Sequence, residues 1–256
     1  MRILFSNDDG LEAPGLWHSW SAFPEHDRTL VAPMKNQSGA SHAFTLHDVL
    51  YAEQRENRGV KGLAVSGFPA DAVKFAISKT EQPFDFMISG INIGENGGVA
   101  QFYSGTVAAA REAALWGIPA VSISIWWGRP ESYEAAAAFL SEWVPRWAAR
   151  LKEEPLRPFF MNVNFPNCPP EEIRGVRLCR QSKAMFEDDY LPVSDDLSQG
   201  YRLCDAWKDR EAIVAGTDDH ATTNNYISVV PLSLDNTLDA GLTWLESCGG
   251  MDQDSK

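Results

Sequence analysis

The sequence predicts an α/β fold built around a doubly wound, mainly parallel sheet. Apolar segments typical of buried strands alternate along the chain with helical patterns, as expected for a parallel sheet with helices on both faces. The first unit is an apolar strand that begins at Ile3, a helical pattern through Leu16, Trp20 and Phe23, and a second strand over residues 29–33. Such a unit has a right-handed crossover and parallel strands. The expected architecture is therefore Rossmann-like.

The later elements repeat this alternation up to about Pro166. We therefore expect residues 1–166 to form one α/β catalytic core, and a chain of 256 residues is long enough to bury it. The remaining predicted elements of the core are strands over residues 86–90, 120–125 and 159–163 and helices over residues 106–116 and 132–150.

Residues 167–256 have a different character. An acidic, irregular excursion covers residues 182–213, and a strand pattern returns at residues 226–232. Leucines from Leu238 to Leu245 then mark a final amphipathic helix. We expect this region to be a C-terminal extension of the same domain, with an arm swapped between subunits as the alternative to a local cap.

Composition limits the classes of function. The formal net charge of −13 at pH 7 argues against binding to a nucleic-acid duplex, because that requires a basic surface. The chain has no apolar run of about 20 residues and no signal-peptide pattern, so we expect a cytoplasmic protein that does not bind membranes. The four cysteines lack Cys-x-x-Cys spacing, so neither a zinc site nor a disulfide framework is expected. Small anionic substrates stay compatible with the charge if a metal reverses the field in a cleft.

The first strand is followed by two adjacent carboxylates, Asp8 and Asp9, and then by Gly10. In a parallel sheet, ligands bind outside the carboxyl ends of the strands. Two neighbouring carboxylates repel each other, and a hard divalent cation between them would offset that repulsion. The alternative is a surface turn that caps the next helix, which Asn7 to Gly10 would also suit. This segment alone does not decide between the two.

Three further loops rich in glycine, hydroxyl groups and amides are expected at the same edge of the sheet. They cover residues 36–41, 89–98 and 103–106. Together with the two carboxylates they offer the oxygen ligands that Mg²⁺, Mn²⁺ and Ca²⁺ prefer. Backbone N–H groups at the start of the alanine-rich helix, near Ser104, could hold a phosphate. Each loop taken singly is more typical of a turn or an N-cap, but their convergence on one edge favours a site.

Long motifs of this chain match a known family in order. They are Met1-Arg2-Ile3-Leu4 through Asn7-Asp8-Asp9-Gly10, Ala13-Pro14-Gly15, Val31-Ala32-Pro33, Asn36-Gln37-Ser38-Gly39-Ala40-Ser41, Ser89-Gly90-Ile91-Asn92, Tyr103-Ser104-Gly105-Thr106-Val107-Ala108-Ala109-Ala110, Asn162-Val163-Asn164, Gly216-Thr217-Asp218 and Tyr226-Ile227-Ser228. In these motifs the sequence resembles the SurE survival-protein family. The resemblance covers most of the chain.

The resemblance implies a metal-dependent nucleotidase that removes phosphate from nucleoside 5′- and 3′-monophosphates. It implies one divalent ion per subunit, Mg²⁺ or Mn²⁺, in a site that Ca²⁺ could also occupy. It also implies a homodimer or homotetramer, because the C-terminal segment of the family is commonly exchanged between subunits. Carried over by position, the metal ligands would be Asp8, Asp9, Ser38 and Asn92. The phosphate would be bound by Asn96, Ser104, Gly105 and Thr106.

We expect Asp8 or Asp9 to be the catalytic group. Either carboxylate could orient or deprotonate the attacking water, and direct attack by an aspartate on phosphorus stays open. None of the five histidines forms a ligand-spaced pair on a helix. We therefore expect packing or surface roles for them, with His42 the one nearest in sequence to a predicted ligand, Ser38.

The chain departs from the family pattern at three places. Met34 replaces an acidic residue after Ala-Pro, and Gly67-Phe68-Pro69 replaces Gly-Thr-Pro while Asp71 is kept. Val99-Ala100-Gln101 replaces an acidic stretch. None of these is a proposed metal ligand, so the departures bear on substrate preference and subunit contacts rather than on the activity.

Two other classes of function are compatible with parts of the sequence. A nucleoside N-ribohydrolase also has aspartates after its first strand and binds calcium there, but it needs no phosphate cradle. A non-catalytic nucleotide-binding module of Rossmann type is the other class. The chain lacks Gly-x-Gly-x-x-Gly after its first strand, and a purely binding site has little use for paired acids.

Overall fold

The computed structural model describes residues 1–154, 156, 159–183, 187–194, 199–206 and 213–248. In this part of the chain, helices cover both faces of a nine-stranded sheet, and a two-stranded antiparallel hairpin forms a separate sheet. None of the described helices is both long and apolar enough to cross a membrane.

The strands and helices have the following bounds. The strands are β1 Arg2–Ser6, β2 Asp27–Pro33, β3 Ala52–Asn57, β4 Val60–Val65, β5 Phe86–Ile93, β6 Ala120–Ile125, β7 Phe159–Asn164, β8 Val176–Leu178, β9 Glu187–Pro192, β10 Tyr201–Ala206 and β11 Ile227–Ser233. The helices are α1 Pro14–Ser21, α2 Pro69–Ser78, α3 Gly105–Leu115, α4 Ser132–Glu153, α5 Asp218–Thr223 and α6 Asp239–Ser247, with 3₁₀ turns at Gly98–Phe102 and Pro170–Glu172.

The sheet has the order β3-β4-β2-β1-β5-β6-β7-β11-β8. Strands β4, β2, β1, β5, β6 and β7 run parallel, while β3 and β11 pair antiparallel with β4 and β7. The predicted α/β fold with a mainly parallel sheet is confirmed. The polar, exposed strand β3 was not predicted, because an edge strand without apolar residues gives no hydrophobic pattern.

Successive residues of β1 enter two different hydrophobic clusters. Ile3 and Phe5 pack with Trp20 of α1 and Phe139 of α4, whereas Leu4 belongs to the cluster formed by α2 and α3. Side chains of a strand alternate between the two faces of a sheet, so a strand buried on both faces must be apolar at every position. This explains the uninterrupted apolar run at the start of the sequence.

The order of the strands reverses direction beside β1. The chain moves from β1 outward to β2 and β4, and then returns to the other side of β1 as β5. In open α/β sheets, the crevice at such a reversal is the usual ligand site. The predicted ligands Asp8, Asp9 and Asn92 lie at or just beyond the carboxyl ends of β1 and β5.

Strand β5 continues past the glycine at which the sequence predicted its end. Gly90 has φ +122°, and the register with β6 shifts between Ser89 and Asn92 before pairing resumes. Only glycine adopts such a φ readily. The irregularity lets Asn92 lie on the last part of the strand, opposite Ser124, instead of in a free loop.

Two parts of the region after Pro166 behave differently. Strand β11 is an internal strand of the main sheet, between β7 and β8, and Val229 and Val230 are buried. The described part of the predicted irregular excursion, by contrast, contains the regular hairpin of β9 and β10. The final helix α6 exposes Leu238, Leu242 and Leu245. The region is therefore partly core and partly a set of exposed apolar elements.

Candidate active site

The turn after β1 is held by a side chain of its own sequence. Asn7 accepts a hydrogen bond from the Gly10 N–H at 3.1 Å and donates to the Gly10 carbonyl at 3.0 Å. Gly10 has φ +100°, a conformation that favours glycine. This closed turn presents Asp8 and Asp9 beyond the end of the strand.

The Asp8 carboxyl is 4% exposed and is held by the start of helix α3. It accepts a hydrogen bond from the Thr106 hydroxyl at 2.5 Å and another from the Thr106 backbone N–H. Burial raises the pKa of the Asp8 carboxyl, although these hydrogen bonds act in the opposite direction. A cation beside this carboxylate would replace part of the solvation that burial removes.

Asp9 is less buried than Asp8 and lies beside it. Burial, together with the neighbouring charge of Asp8, raises the pKa of Asp9 to about 6, while Asn36 donates to its carboxylate at 2.6 Å and opposes the shift. Asp9 lines a cavity of about 400 Å³ with Gly10 and Asn36, next to the larger cavity that Asp8 lines. Its carboxyl therefore changes charge close to neutral pH when no cation is bound.

Backbone hydrogen bonds attach the loop after β2 to the other loops. The Gln37 N–H donates to the Asp8 carbonyl at 2.8 Å, and the Ser38 N–H donates to the Asn36 side chain at 3.0 Å. At the far end of the loop, Ser41 donates its N–H to the Tyr103 carbonyl at 2.9 Å. The exposed Ser38 is thereby held at the edge of the same cavity as Asp8.

The two asparagines of the β5 loop have different surroundings. The Asn92 amide nitrogen donates to the Gly94 carbonyl at 2.7 Å, which leaves its oxygen as the acceptor for a ligand. Asn96 is buried, and its amide nitrogen donates to Ser124 at 2.8 Å. Asn162 and Asn164 of β7 bind the Asn96 backbone at 2.8 and 2.7 Å. The position of Asn96 is thus fixed by the neighbouring strands.

Helix α3 begins at the bottom of the cavity. Ser104 is its N-cap and accepts a hydrogen bond from the Val107 N–H at 3.2 Å, so its own hydroxyl proton is still available to a ligand. A Cβ on Gly105 would lie 2.8 Å from the Asp8 Cβ, so only glycine fits there. Because both donors of Thr106 are directed to Asp8, binding of phosphate by Thr106 would require it to give up one of these bonds.

The larger cavity has a volume of about 550 Å³, within the range of small-molecule sites. It brings together five of the predicted site residues, while Asp9, Gly105 and Thr106 lie beside or behind its wall. The predicted residues that line it are Asp8, Ser38, Asn92, Asn96 and Ser104.

The side chains around Asp8 suit a hard divalent cation better than zinc or copper. Within the described ranges, no three His, Cys, Asp or Glu side chains form a metal-binding group. A site here therefore depends on Asp8 and Asp9 with an amide and a hydroxyl, and water would complete the coordination of Mg²⁺ or Mn²⁺. The raised pKa values of the two carboxyls fit this assignment, because a cation would offset both burial and mutual repulsion.

The sequence and the fold both match known proteins along most of the chain. The family model described as Survival protein SurE matches residues 3–188. The chain belongs to the SurE family. The "5'-nucleotidase SurE" of Rubrobacter xylanophilus is 39% identical to this SurE chain over 260 residues, which cover 96% of this chain and 97% of the relative. The protein of the same name from Methylococcus capsulatus is 38% identical over 240 residues and covers 93% of each.

A solved structure agrees with this assignment. The crystal structure of the SurE protein from Aquifex aeolicus superposes with a TM-score of 0.78 at 30% sequence identity, and the match covers 96% of this chain and all of that one. The resemblance found in the sequence and the predicted fold class are therefore confirmed. The roles of individual site residues stay predictions.

Sequence reasoning missed several residues of this SurE cavity. Glu95, Trp127, Tyr190 and Leu203 line it, and the last two come from the hairpin of β9 and β10. Trp127 could have been found, because it follows the predicted strand 120–125 at the edge where the other loops end. The hairpin residues lie at least 98 positions from every predicted metal ligand and carry no sequence signal for this contact.

His42 has a structural partner outside the cavity. Its Nε2 atom lies 2.8 Å from the Glu112 carboxylate on α3, and Trp116 donates to the other oxygen of Glu112 at 2.8 Å. His42 does not line the cavity of Asp8. The contact attaches the loop after Ser38 to helix α3.

Proposed function

We propose that this chain is a divalent-metal-dependent phosphomonoesterase that hydrolyses nucleoside 5′- and 3′-monophosphates to nucleoside and phosphate. The observation that carries the proposal is the desolvated Asp8 carboxylate, which lies in one cavity with Ser38, Asn92 and the N-terminus of α3. Relatives that are named 5'-nucleotidase SurE and match nearly the whole chain support the choice of nucleotides as substrates.

Asp8, Asp9, Ser38 and Asn92 would hold one metal ion, Mg²⁺ or Mn²⁺. When bound, such an ion polarises a phosphoryl oxygen and neutralises developing negative charge. Thr106 keeps the Asp8 carboxylate in place through its hydroxyl and its N–H. Ca²⁺ has the same preference for oxygen ligands and would compete for the site.

The phosphate would lie at the N-terminus of α3. The first turn of a helix offers free N–H groups and a favourable dipole to an anion. The Ser104 hydroxyl can donate to the phosphate while its oxygen accepts from Val107. Asn96 lines the same cavity, and Asn162 and Asn164 hold its backbone in place. We therefore assign Asn96 two roles, to shape the pocket and to contact the phosphate.

The attacking water would be oriented by one of the two aspartates. Asp9 is the better candidate for accepting its proton, since its carboxyl is more accessible than that of Asp8. Direct attack by an aspartate on phosphorus stays an alternative. The stereochemistry at phosphorus distinguishes the two routes, because a single in-line displacement by water inverts the configuration, whereas an aspartyl phosphate that is formed and then hydrolysed by two in-line displacements retains it.

The decisive experiment compares two products from one substrate. AMP is incubated with the full chain, with Mn²⁺ or with a chelator, and both released phosphate and released adenine are measured. We expect phosphate release that depends on the metal and no release of adenine. Release of adenine would indicate an N-ribohydrolase instead, and tight binding of AMP without any product would indicate a binding module.

We also propose that the chain forms a homodimer or a homotetramer. Helix α6 exposes Leu242, Trp244 and Leu245, and the hairpin of β9 and β10 exposes Leu191 and Tyr201. Burying such apolar side chains against a second copy would remove them from water. Light scattering during size-exclusion chromatography measures the mass of the full chain and of a chain that ends at residue 237. If both chains contain the same number of subunits per particle, α6 has no role in assembly.

A further inference from the structure

Part of the cavity lining is apolar and is not explained by the metal or the phosphate. Ile93, Val99 and Trp127 line the same space as Asp8, and Tyr190 and Leu203 of the hairpin also line it. Val99 lies in the stretch where the sequence departs from the acidic pattern of the family. The cavity therefore combines polar side chains with apolar ones.

The indole of Trp127 lies directly beside a predicted metal ligand. A Cβ built on Gly94 would be 3.5 Å from Cε3 of Trp127 and 3.6 Å from the amide nitrogen of Asn92. Both side chains are thus within 3.6 Å of one point. These two atoms are therefore no more than about 7 Å apart, so one ligand can contact both the indole and the neighbourhood of Asn92.

The segment that carries Trp127 is attached to the loop of Asn92 and Asn96. The Trp127 backbone N–H donates to the carboxylate of Glu95, a residue of that loop. Burial raises the pKa of the Glu95 carboxyl, and the hydrogen bonds from the Glu95 and Trp127 N–H groups oppose that shift. This hydrogen bond holds the backbone of Trp127, although its side chain is 71% exposed.

We propose that Trp127 is the nucleobase platform of this cavity and makes the site selective for phosphomonoesters that carry an aromatic base. This rests on the proposed phosphomonoesterase function and names its substrate class. An exposed indole face with aliphatic neighbours offers stacking and apolar contact to a flat heterocycle, and a base–aromatic contact is tolerant of which base is bound. Tyr190 and Leu203 would cover the other side of the base.

The test compares two substrates that differ only in the base. AMP and ribose 5-phosphate share the phosphate and the sugar, so the ratio of their kcat/KM values isolates the contribution of adenine. We expect Trp127→Ala to lower that ratio by about 10- to 100-fold, mainly through a higher KM for AMP. Trp127→Phe keeps an aromatic face and should retain most of the ratio. Tyr51→Ala, which removes an exposed aromatic ring outside the cavity, should leave the ratio unchanged.

Binding measurements make the test independent of turnover. Isothermal titration of AMP and of ribose 5-phosphate into the full chain with a chelator, in which no phosphate release is expected, should give a preference for AMP that Trp127→Ala removes. An unchanged ratio and unchanged binding in Trp127→Ala would overturn the base platform. A change in oligomeric mass without a change in the kcat/KM ratio would also overturn it, since the indole would then contact a second copy. If the parent chain releases no phosphate from either compound, the proposed function fails, and the titrations still decide whether Trp127 binds the base.

Discussion

The two ends of the cavity are built in opposite ways. At the inner end, Asp8 is buried, and backbone or side-chain hydrogen bonds from α3 and from the loop after β2 fix its position. At the outer end, Trp127 and Tyr190 are 71% and 65% exposed and come from a loop and from the hairpin. The difference suggests that the inner end carries the chemistry common to all substrates, whereas the outer end selects among them. Variants of residues at the inner end should then lower kcat/KM for AMP and for ribose 5-phosphate by the same factor, whereas variants of Trp127 should not.

The largest effect is expected for Asp8→Asn. The substitution removes one of two charges that would bind the metal, so kcat/KM should fall by at least about 100-fold for both substrates, with weaker binding of Mn²⁺. The fold should survive, because Asn can still accept the hydrogen bonds of Thr106. In a chelator the melting temperature should be equal or higher, since a desolvated carboxylate has been removed. Full activity together with parental Mn²⁺ affinity would exclude Asp8 as a ligand.

Gly105→Ala should disturb the same carboxylate through contact alone. The added Cβ would lie 2.8 Å from the Asp8 Cβ and 3.0 Å from both the Asp8 Oδ2 and the Pro69 Cγ. We expect a loss of stability of about 1 to 3 kcal/mol and a decrease of activity for both substrates. Gly241→Ala in α6 is the control, because its Cβ would make only contacts of 3.6 Å. Chemical denaturation and kinetics of the two variants measure the difference.

Thr106→Val should affect the metal more than the phosphate. Valine keeps the shape of threonine but removes the hydroxyl that donates to Asp8. Loss of one such hydrogen bond corresponds to about 1 to 3 kcal/mol, so Mn²⁺ affinity should fall by about 5- to 100-fold, while inhibition by inorganic phosphate changes little. Ser104→Ala is the matched variant and should weaken phosphate inhibition instead. If instead Thr106→Val weakens phosphate inhibition and Ser104→Ala weakens Mn²⁺ binding, Thr106 belongs to the phosphate site. The proposed separation of metal and phosphate roles within the inner end would then be wrong.

The smallest effect is the dependence of stability on pH in metal-free protein. Asp9 has a pKa of about 6 in the folded chain, above its ordinary value of 3.8, so the folded state holds this proton more tightly than the unfolded state. The stabilisation is complete below about pH 4 and is lost as the pH rises through about 6. Because Asp9 is partly exposed, we expect only about 1 to 2 kcal/mol.

This loss should be absent in Asp9→Asn and small in parent protein saturated with Mn²⁺. Denaturation at pH 4, 5, 6 and 7, with the parent and the variant compared at each value, isolates the contribution of Asp9 from that of other titrating groups. A parent curve that parallels the variant throughout would mean that Asp9 titrates normally.

The core and the polar part of the site can be predicted from the amino-acid sequence. Uninterrupted apolar runs identify strands buried on both faces, and residues that follow such strands must meet at one edge of a parallel sheet. That reasoning brought Asp8, Ser38, Asn92 and Ser104 together before any coordinates, and they share one cavity. It also identified the family, because the motifs at these loops are long and occur in order.

The support of the site and the residues of its outer wall, by contrast, follow from long-range packing. The hydrogen bonds from the Thr106 hydroxyl to Asp8 and from the Asn96 N–H to the Asn164 side chain join residues 98 and 68 positions apart, and no local pattern encodes such pairs. Tyr190 reaches the cavity through a hairpin that the acidic sequence did not predict. Periodicity reports which face of an element is apolar, but not which distant element will cover it, because that depends on packing of the whole chain.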